Sequence, residues 1–106
     1  MEIIENSNLG GWFVGSFKPN LINSKDIEVG IKEIPKNTKP DYHFHRIKTE
    51  YTILIQGKII CLEKNIHISP GTIIKLLPYE KNDQFFPEKS LILVLNTPSA
   101  QGDKYI

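Results

Sequence analysis

Residues 41–50, DYHFHRIKTE, hold two of the chain's three histidines two positions apart, and a glutamate follows the second histidine by five positions. On an extended strand, residues i and i+2 face the same side. A strand over 42–48 is therefore predicted to direct the imidazoles of His43 and His45 at one point. If the run that begins at Glu50 folds back beside that strand, its carboxylate reaches the same point. Two imidazoles and one carboxylate with open positions suit Fe(II), Mn(II), Ni(II) or Zn(II).

The chain around this stretch consists of short apolar runs separated by turn signals. Gln56-Gly57-Lys58 is typical of a tight hairpin, and Ser69-Pro70-Gly71-Thr72 of a second turn. No window free of proline and glycine has the apolar spacing of an amphipathic helix. Frequent turns between short apolar runs predict an all-β antiparallel sandwich or barrel, with edge strands or ordered tails at both ends. The predicted strands are 11–17, 27–34, 42–48, 50–56, 58–62, 66–68, 72–77, 83–86 and 91–96.

Length, charge and cysteine content limit the class of protein. A chain of 106 residues predicts a single domain over 1–106. Its 13 Lys and Arg against 12 Asp and Glu give a net charge of +1, which argues against a nucleic-acid binder. The single cysteine, Cys61, excludes an internal disulfide framework and a cysteine-rich zinc module. The longest apolar run, Leu91–Leu95, is far shorter than the ~20 residues that span a bilayer. Together with the absence of a signal-peptide pattern, this predicts a soluble cytoplasmic protein without a membrane partner.

The spacing of these residues resembles the first motif of the cupin superfamily, G-x5-H-x-H-x(3,4)-E-x6-G. His43, His45, Glu50 and Gly57 match it, while Asn37 occupies the leading glycine position, where a left-handed turn tolerates asparagine. The resemblance implies a small double-stranded antiparallel β-helix, a jelly-roll barrel, with a divalent metal held inside by His43, His45 and Glu50.

The second cupin motif, G-x5-P-x-G-x2-H-x3-N, departs from its pattern because no histidine stands in its histidine position. Counted from Gly71, that position holds Asn82; a shift of one residue, which aligns Pro78, brings Asp83 there. A carboxylate holds a hard cation better than an amide, so Asp83 is preferred over Asn82 as a possible fourth ligand. Water in place of either residue is a third alternative. The chain is thus most similar to small stand-alone cupins whose second motif is degenerate.

The motif allows more than one function. One is a metal-dependent dioxygenase, isomerase or lyase acting on a small polar organic molecule, with Tyr79 or Asp83 as the acid or base. The alternative is a non-catalytic module that binds a small molecule or is structural and holds no metal. A further, metal-free enzyme would use His43 or His45 as a base, but it needs a carboxylate partner, and on a strand Asp41 has the wrong parity to supply one.

The aromatic residues near the N-terminus are predicted to pack in the core or at an interface. Trp12, Phe13 and Phe17 suit an edge strand that pairs two copies, so a homodimer is expected, and these side chains are preferred in packing over a wall that stacks on substrate. Tyr79, Gln84 and Phe86 are placed at the rim of a pocket, with an exposed loop as the other interpretation.

Overall fold

The computed structural model describes residues 1–106, which form nine short strands and one short helical turn. The turn is a 3-10 helix, η1, at Asn6–Leu9. No helix in the structure is long and apolar enough to cross a membrane. The strands are β1 (Trp12–Gly15), β2 (Ile22–Asn23), β3 (Glu28–Ile34), β4 (Thr49–Gln56), β5 (Ile59–Cys61), β6 (Ile66–Ile68), β7 (Ile73–Leu76), β8 (Gln84–Phe85) and β9 (Ser90–Thr97).

The strands form two sheets. The larger has six strands in the order β2-β1-β3-β9-β4-β7, and the smaller has three in the order β6-β5-β8. Every pairing is antiparallel except that of β1 with β2. This architecture confirms the predicted all-β class.

A compact apolar core lies between the two sheets. Leu54 on β4 and Ile59 on β5 are completely buried, and they pack with Phe86 and with Ile92 and Val94 of β9. Full burial of a side chain of this size stabilises the fold by about 1.5–3 kcal/mol. The alternation of buried and half-buried residues along β9 and along the first six residues of β4 follows from the two-residue period of a strand.

The inner face of the larger sheet is polar at one end. Glu28 on β3 pairs in register with Asn96 on β9, and Asn96 pairs with Glu50 on β4. All three residues are buried. One end of the interior therefore collects polar groups, while the middle is apolar.

The prediction of a strand over 42–48 is wrong. Only Phe44 makes a strand-like bridge, to Tyr105 near the C-terminus, and the rest of this histidine segment is irregular. Tyr42 has a positive φ of 49°, which interrupts the extended conformation. Two other parts of the chain hydrogen-bond to the backbone of this segment. Tyr105 pairs with Phe44, and Asn82 and Tyr79 donate their N–H groups to the carbonyls of His43 and His45, respectively.

The predicted hairpin at Gln56-Gly57-Lys58 is wrong, because β4 belongs to the larger sheet and β5 to the smaller one. Gly57 and Gly71 are instead turn glycines between strands of different sheets, and they provide a matched test of how tightly the turns are packed. Gly57 and Gly71 have similar φ values of 98° and 91°. A Cβ on Gly57 would lie 2.2 Å from Ser90 Oγ and 2.7 Å from Ser90 Cα, whereas one on Gly71 meets nothing within 4 Å.

We expect Gly71→Ala to lower the free energy of unfolding by about 1 kcal/mol, the cost of a left-handed residue. Gly57→Ala pays the same cost and must also displace Ser90, so we expect a total loss of about 2–4 kcal/mol. Urea denaturation measures both. Equal losses of unfolding free energy in the two variants would show that the turn at Gly57 does not pack against Ser90 as described.

Candidate metal centre

The side chains of His43, His45 and Glu50 converge on one point. Their potential ligand atoms all lie within 4.8 Å of one another, and each residue is less than a tenth exposed. His43 Nε2 is 4.0 Å from Glu50 Oε2. The irregular histidine segment thus still directs both imidazoles to the same side, and β4 supplies the carboxylate. The predicted convergence of these three groups is confirmed.

Both imidazoles are held through their Nδ1 atoms. The Nδ1 of His43 lies 2.5 Å from Asp41 Oδ1, and the Nδ1 of His45 is hydrogen-bonded to the backbone carbonyl of Asp103. A carbonyl only accepts, so the Nδ1 of His45 carries the proton and its Nε2 presents a lone pair. His45 Nε2 and Glu50 Oε2 are buried without a hydrogen-bond partner. Such unpaired groups are costly, and here they belong to residues whose ligand atoms lie within 4.8 Å of one another, an arrangement that a cation would satisfy.

Asp41 is the carboxylate partner of His43, although the two-residue period of a strand had led us to exclude it. Because the segment is not an extended strand, the Asp41 carboxylate turns to His43 and also accepts a hydrogen bond from Lys104 Nζ at 2.8 Å. Burial alone would raise the pKa of Asp41, but the hydrogen bonds with Lys104 and His43 outweigh it and lower the pKa to about 2. The carboxylate is therefore ionised at neutral pH, and it holds the proton of the imidazole on Nδ1.

Asp103 fastens the histidine segment to the C-terminal tail. Its buried carboxylate accepts hydrogen bonds from the backbone N–H groups of Arg46, Ile47 and Lys48 at 2.9–3.0 Å. Burial would raise the pKa of Asp103, but the hydrogen bonds from these three N–H groups lower it by more, so the pKa lies below its ordinary value. The sequence offers no local signal for this role, because a lone aspartate in a polar tail resembles a solvated one.

The cavity beside these side chains has two adjacent lobes; His43 and Glu50 line both of them, and His45 lines only the larger one. The larger lobe has a volume of about 550 Å³ and the smaller about 230 Å³. The residues that line both are Lys32, Asp41, His43 and Glu50. The larger lobe is open to solvent and would admit a small organic molecule.

Trp12 and Phe17 line the larger lobe, which is the position that the sequence-based prediction placed second to packing in the core or at an interface. Their rings meet edge to face with centroids 6.4 Å apart. Trp12 also packs against the apolar core, so the prediction of core packing holds for this residue. The pair gives the cavity an apolar wall. The homodimer stays a prediction.

A buried ion pair lies in the wall of the larger lobe. Lys48 Nζ is 2.8 Å from Glu28 Oε1, and Asn96 and Ser99 donate further hydrogen bonds to the Glu28 carboxylate. Burial would raise the pKa of Glu28, but the bonds from Lys48, Asn96 and Ser99 more than offset it, so its pKa is lowered. This ion pair keeps the polar end of the interior ionised and ordered.

The structure reverses the ranking of the two candidate fourth ligands. Asp83 points away from the cavity, and its carboxylate accepts a hydrogen bond from the N–H of Glu63 at 2.8 Å. Asn82 lines the smaller lobe, although its Oδ1 already accepts a hydrogen bond from the N–H of Gln84. The one-residue shift that favoured Asp83 fails because the alternate residues Asn82, Gln84 and Phe86 line the smaller lobe. Asp83 lies between two of them and faces the other way.

Tyr79, the other proposed acid or base, also lies outside both lobes. It is two-thirds exposed, and its ring stacks on Phe44 with centroids 6.0 Å apart. Gln84, in contrast, is buried in the wall of the smaller lobe beside Asn82, and its Nε2 has no hydrogen-bond partner. Of the predicted rim residues, Gln84 and Phe86 contact the cavity and Tyr79 does not.

Comparison with solved structures identifies the fold. KdgF from Halomonas sp. superposes with a TM-score of 0.68 at 16% sequence identity over 74% of each chain. A protein with a double-stranded beta-helix domain from Klebsiella pneumoniae gives 0.65 at 17% identity over 74% of this chain and 73% of that one. An RmlC-like cupin from Desulfovibrio desulfuricans gives 0.61 at 12% identity over 73% and 76%. The chain has the cupin fold.

The predicted double-stranded β-helix, or jelly roll, is therefore confirmed. No protein-family model matches the chain, and no curated protein matches it significantly. At these levels of identity the likeness carries the fold alone, so function must be inferred from the residues that this cupin fold brings together.

Asp103→Asn tests how the tail supports the centre. Because the pKa of Asp103 is lower in the folded than in the unfolded state, its contribution is present above about pH 4 and is lost as the pH falls through the folded value. We expect the variant to lose about 2–4 kcal/mol of unfolding free energy at neutral pH, and the difference from the unsubstituted protein to shrink in acid.

Urea denaturation across pH in the presence of a chelator measures this loss. Asp26→Asn, at an exposed aspartate whose side chain bonds to nothing, is the matched control and should change stability by less than about 0.5 kcal/mol. A pH-independent loss in Asp103→Asn would contradict the assigned role of the ionised carboxylate.

Proposed function

We propose that this chain binds one divalent metal ion through the Nε2 atoms of His43 and His45 and the carboxylate of Glu50. The observation that carries the proposal is the orientation of the donors. Each imidazole is fixed at Nδ1 by a carboxylate or a carbonyl, His45 Nε2 and Glu50 Oε2 are buried without a hydrogen-bond partner, and the ligand atoms of the three residues lie within 4.8 Å of one another. A carboxylate or carbonyl behind a histidine is the usual outer support of a metal ligand.

The donor set fits a divalent transition metal. Neutral imidazoles and one carboxylate are suited to Fe(II), Mn(II), Ni(II) or Zn(II), and the set does not select among them. Three protein donors would leave at least one coordination position of such an ion open to a ligand in the cavity. Asn82 and Gln84 are the amides in the smaller lobe that could add a weak oxygen ligand.

We further propose that the centre acts on a small polar organic molecule, as a dioxygenase, isomerase or lyase. The bound ion would supply Lewis-acid activation of an oxygen atom of that molecule. Trp12 and Phe17 provide an apolar wall for its carbon skeleton, and the Glu28–Lys48 ion pair provides a charged one. Since Tyr79 and Asp83 lie outside the lobes, we propose that the acid or base that exchanges a proton with the substrate is a residue of the cavity wall.

Two other functions remain candidates because specific observations favour them. A non-catalytic ligand-binding module is favoured by the absence of a histidine from the second motif and by the hydrogen bond that already occupies Asn82 Oδ1. A metal-free enzyme is favoured by the 2.5 Å contact of Asp41 with His43, which would strengthen that imidazole as a base. Both alternatives function without a stoichiometric metal, so metal content separates them from our proposal.

Elemental analysis of protein purified without a metal-binding tag provides the test. We expect close to one transition-metal ion per chain, removal of the ion by a chelator with a fall in melting temperature, and loss of the ion in His45→Ala. His67→Ala is the matched control, because His67 is exposed on β6 and lies outside the centre.

Metal-free protein with undiminished thermal stability would refute the proposal. Retention of the ion in His45→Ala together with its loss in His67→Ala would also refute it, because the ion would then be bound elsewhere.

A further inference from the structure

Lys32 projects from β3 into the centre of the cavity. It is one of the residues that line both lobes, together with His43 and Glu50. Its ammonium nitrogen lies 4.6 Å from the centroid of the Trp12 ring, which holds the side chain against the apolar wall. A cation thus lines the same two lobes as two of the three converging donor groups, those of His43 and Glu50.

Lys32 is half-buried and has no anionic partner, whereas the other lysines of the cavity are either paired or exposed. Lys48 is paired with Glu28 and Lys104 with Asp41, each at 2.8 Å. No carboxylate lies within salt-bridge distance of Lys32, and its Nζ makes no hydrogen bond to the protein. A half-buried ammonium group in this position has lost part of its hydration without replacement. Burial, and secondarily the charge of Lys104, lower the pKa of Lys32 although Glu50 and Asp41 oppose them.

The charge of the whole lobe has the same sign. Four lysines line the larger lobe against three carboxylates. A divalent ion bound by neutral histidines would add two further positive charges. A cavity of this charge attracts anions and disfavours neutral or cationic molecules.

We propose that Lys32 forms a subsite for the carboxylate of a small organic acid, in which the acid lies between Lys32 and the metal centre. The volume of about 550 Å³ admits a molecule of this size. A carboxylate is preferred to a phosphate because Lys32 is the one half-buried lysine of the cavity without a partner and matches a single negative charge. Arg46, the chain's only arginine, lies over the Tyr105 ring outside the cavity and adds no second positive charge there. The position of the acid relative to the metal rests on the function proposed above, whereas the Lys32 subsite itself does not.

Malonate, compared with its neutral analogue malonamide, tests the subsite. Trp12 is the only tryptophan and touches Lys32, so its fluorescence reports on occupancy, and calorimetry gives an independent Kd. We expect the metal-loaded protein to bind malonate at least about tenfold more tightly than malonamide. Lys32→Met should weaken malonate binding at least about tenfold and leave the metal content unchanged.

The matched control is Lys64→Met, which removes an exposed lysine in the β5–β6 turn and should bind malonate like the unsubstituted protein. Lys32→Met replaces an unpaired cation by an apolar side chain of similar length, so we expect it to fold. The comparison of malonate with malonamide on the unsubstituted protein needs no variant, and equal affinity for the two would overturn the proposal. Malonate affinity unchanged in Lys32→Met would overturn it as well.

The same titrations in the presence of a chelator separate this subsite from the metal centre. Malonate binding that still depends on Lys32 without metal supports the subsite even if elemental analysis finds no ion. A protein that holds stoichiometric metal but binds malonate independently of Lys32 retains its proposed function and loses the subsite.

Discussion

The hydrogen bonds of Asp103 are the constraint on which the functional end of this fold depends. The segment that carries both histidines is not a regular strand, so sheet pairing does not hold it. Asp103 bonds three consecutive backbone N–H groups of that segment through its carboxylate and His45 through its carbonyl. The Phe44–Tyr105 bridge adds a second attachment, and their rings stack with centroids 5.7 Å apart. The C-terminal tail therefore fixes residues almost sixty positions earlier in the chain.

The cavity concentrates charge in a part of the molecule where charge is expensive. Glu28 and Lys48 neutralise each other, as do Asp41 and Lys104, at separations of 2.8 Å. The Glu28–Lys48 pair is buried, so it contributes little net stability but removing one member leaves an uncompensated charge, whereas both side chains of the Asp41–Lys104 pair are more than half exposed. Glu50 and Lys32 are left without such a partner, and both line the same two lobes. A bound cation beside Glu50 and a bound anion beside Lys32 would give each of these residues an oppositely charged partner. The functional proposals therefore rest on these two residues.

Local sequence patterns predicted the fold and the three converging residues because each depends on short-range geometry. The alternation in 50–56 places Glu50, Thr52 and Leu54 on one face, and β4 has this arrangement. The His-x-His pair reached one side despite the failure of the strand over 42–48, because alternate residues of the bridged segment still face opposite ways around Phe44.

The rest of the centre depends on contacts that no local pattern encodes. Asp103 and Glu28 act across long sequence separations, and the register of β8 decides that Asn82 and Gln84, not Asp83, face the cavity. The role of Asp41 was missed for a different reason. The parity rule assumed a strand that the positive φ of Tyr42 interrupts.

Anomalous diffraction from crystals of the metal-loaded protein tests the central claim most directly. We predict a single strong peak about 2.0–2.2 Å from the Nε2 atoms of His43 and His45 and from a carboxylate oxygen of Glu50, with both Nδ1 atoms still bound to Asp41 and Asp103. A peak coordinated by other residues, or no peak at saturating metal, would contradict the claim that these three side chains form the metal centre.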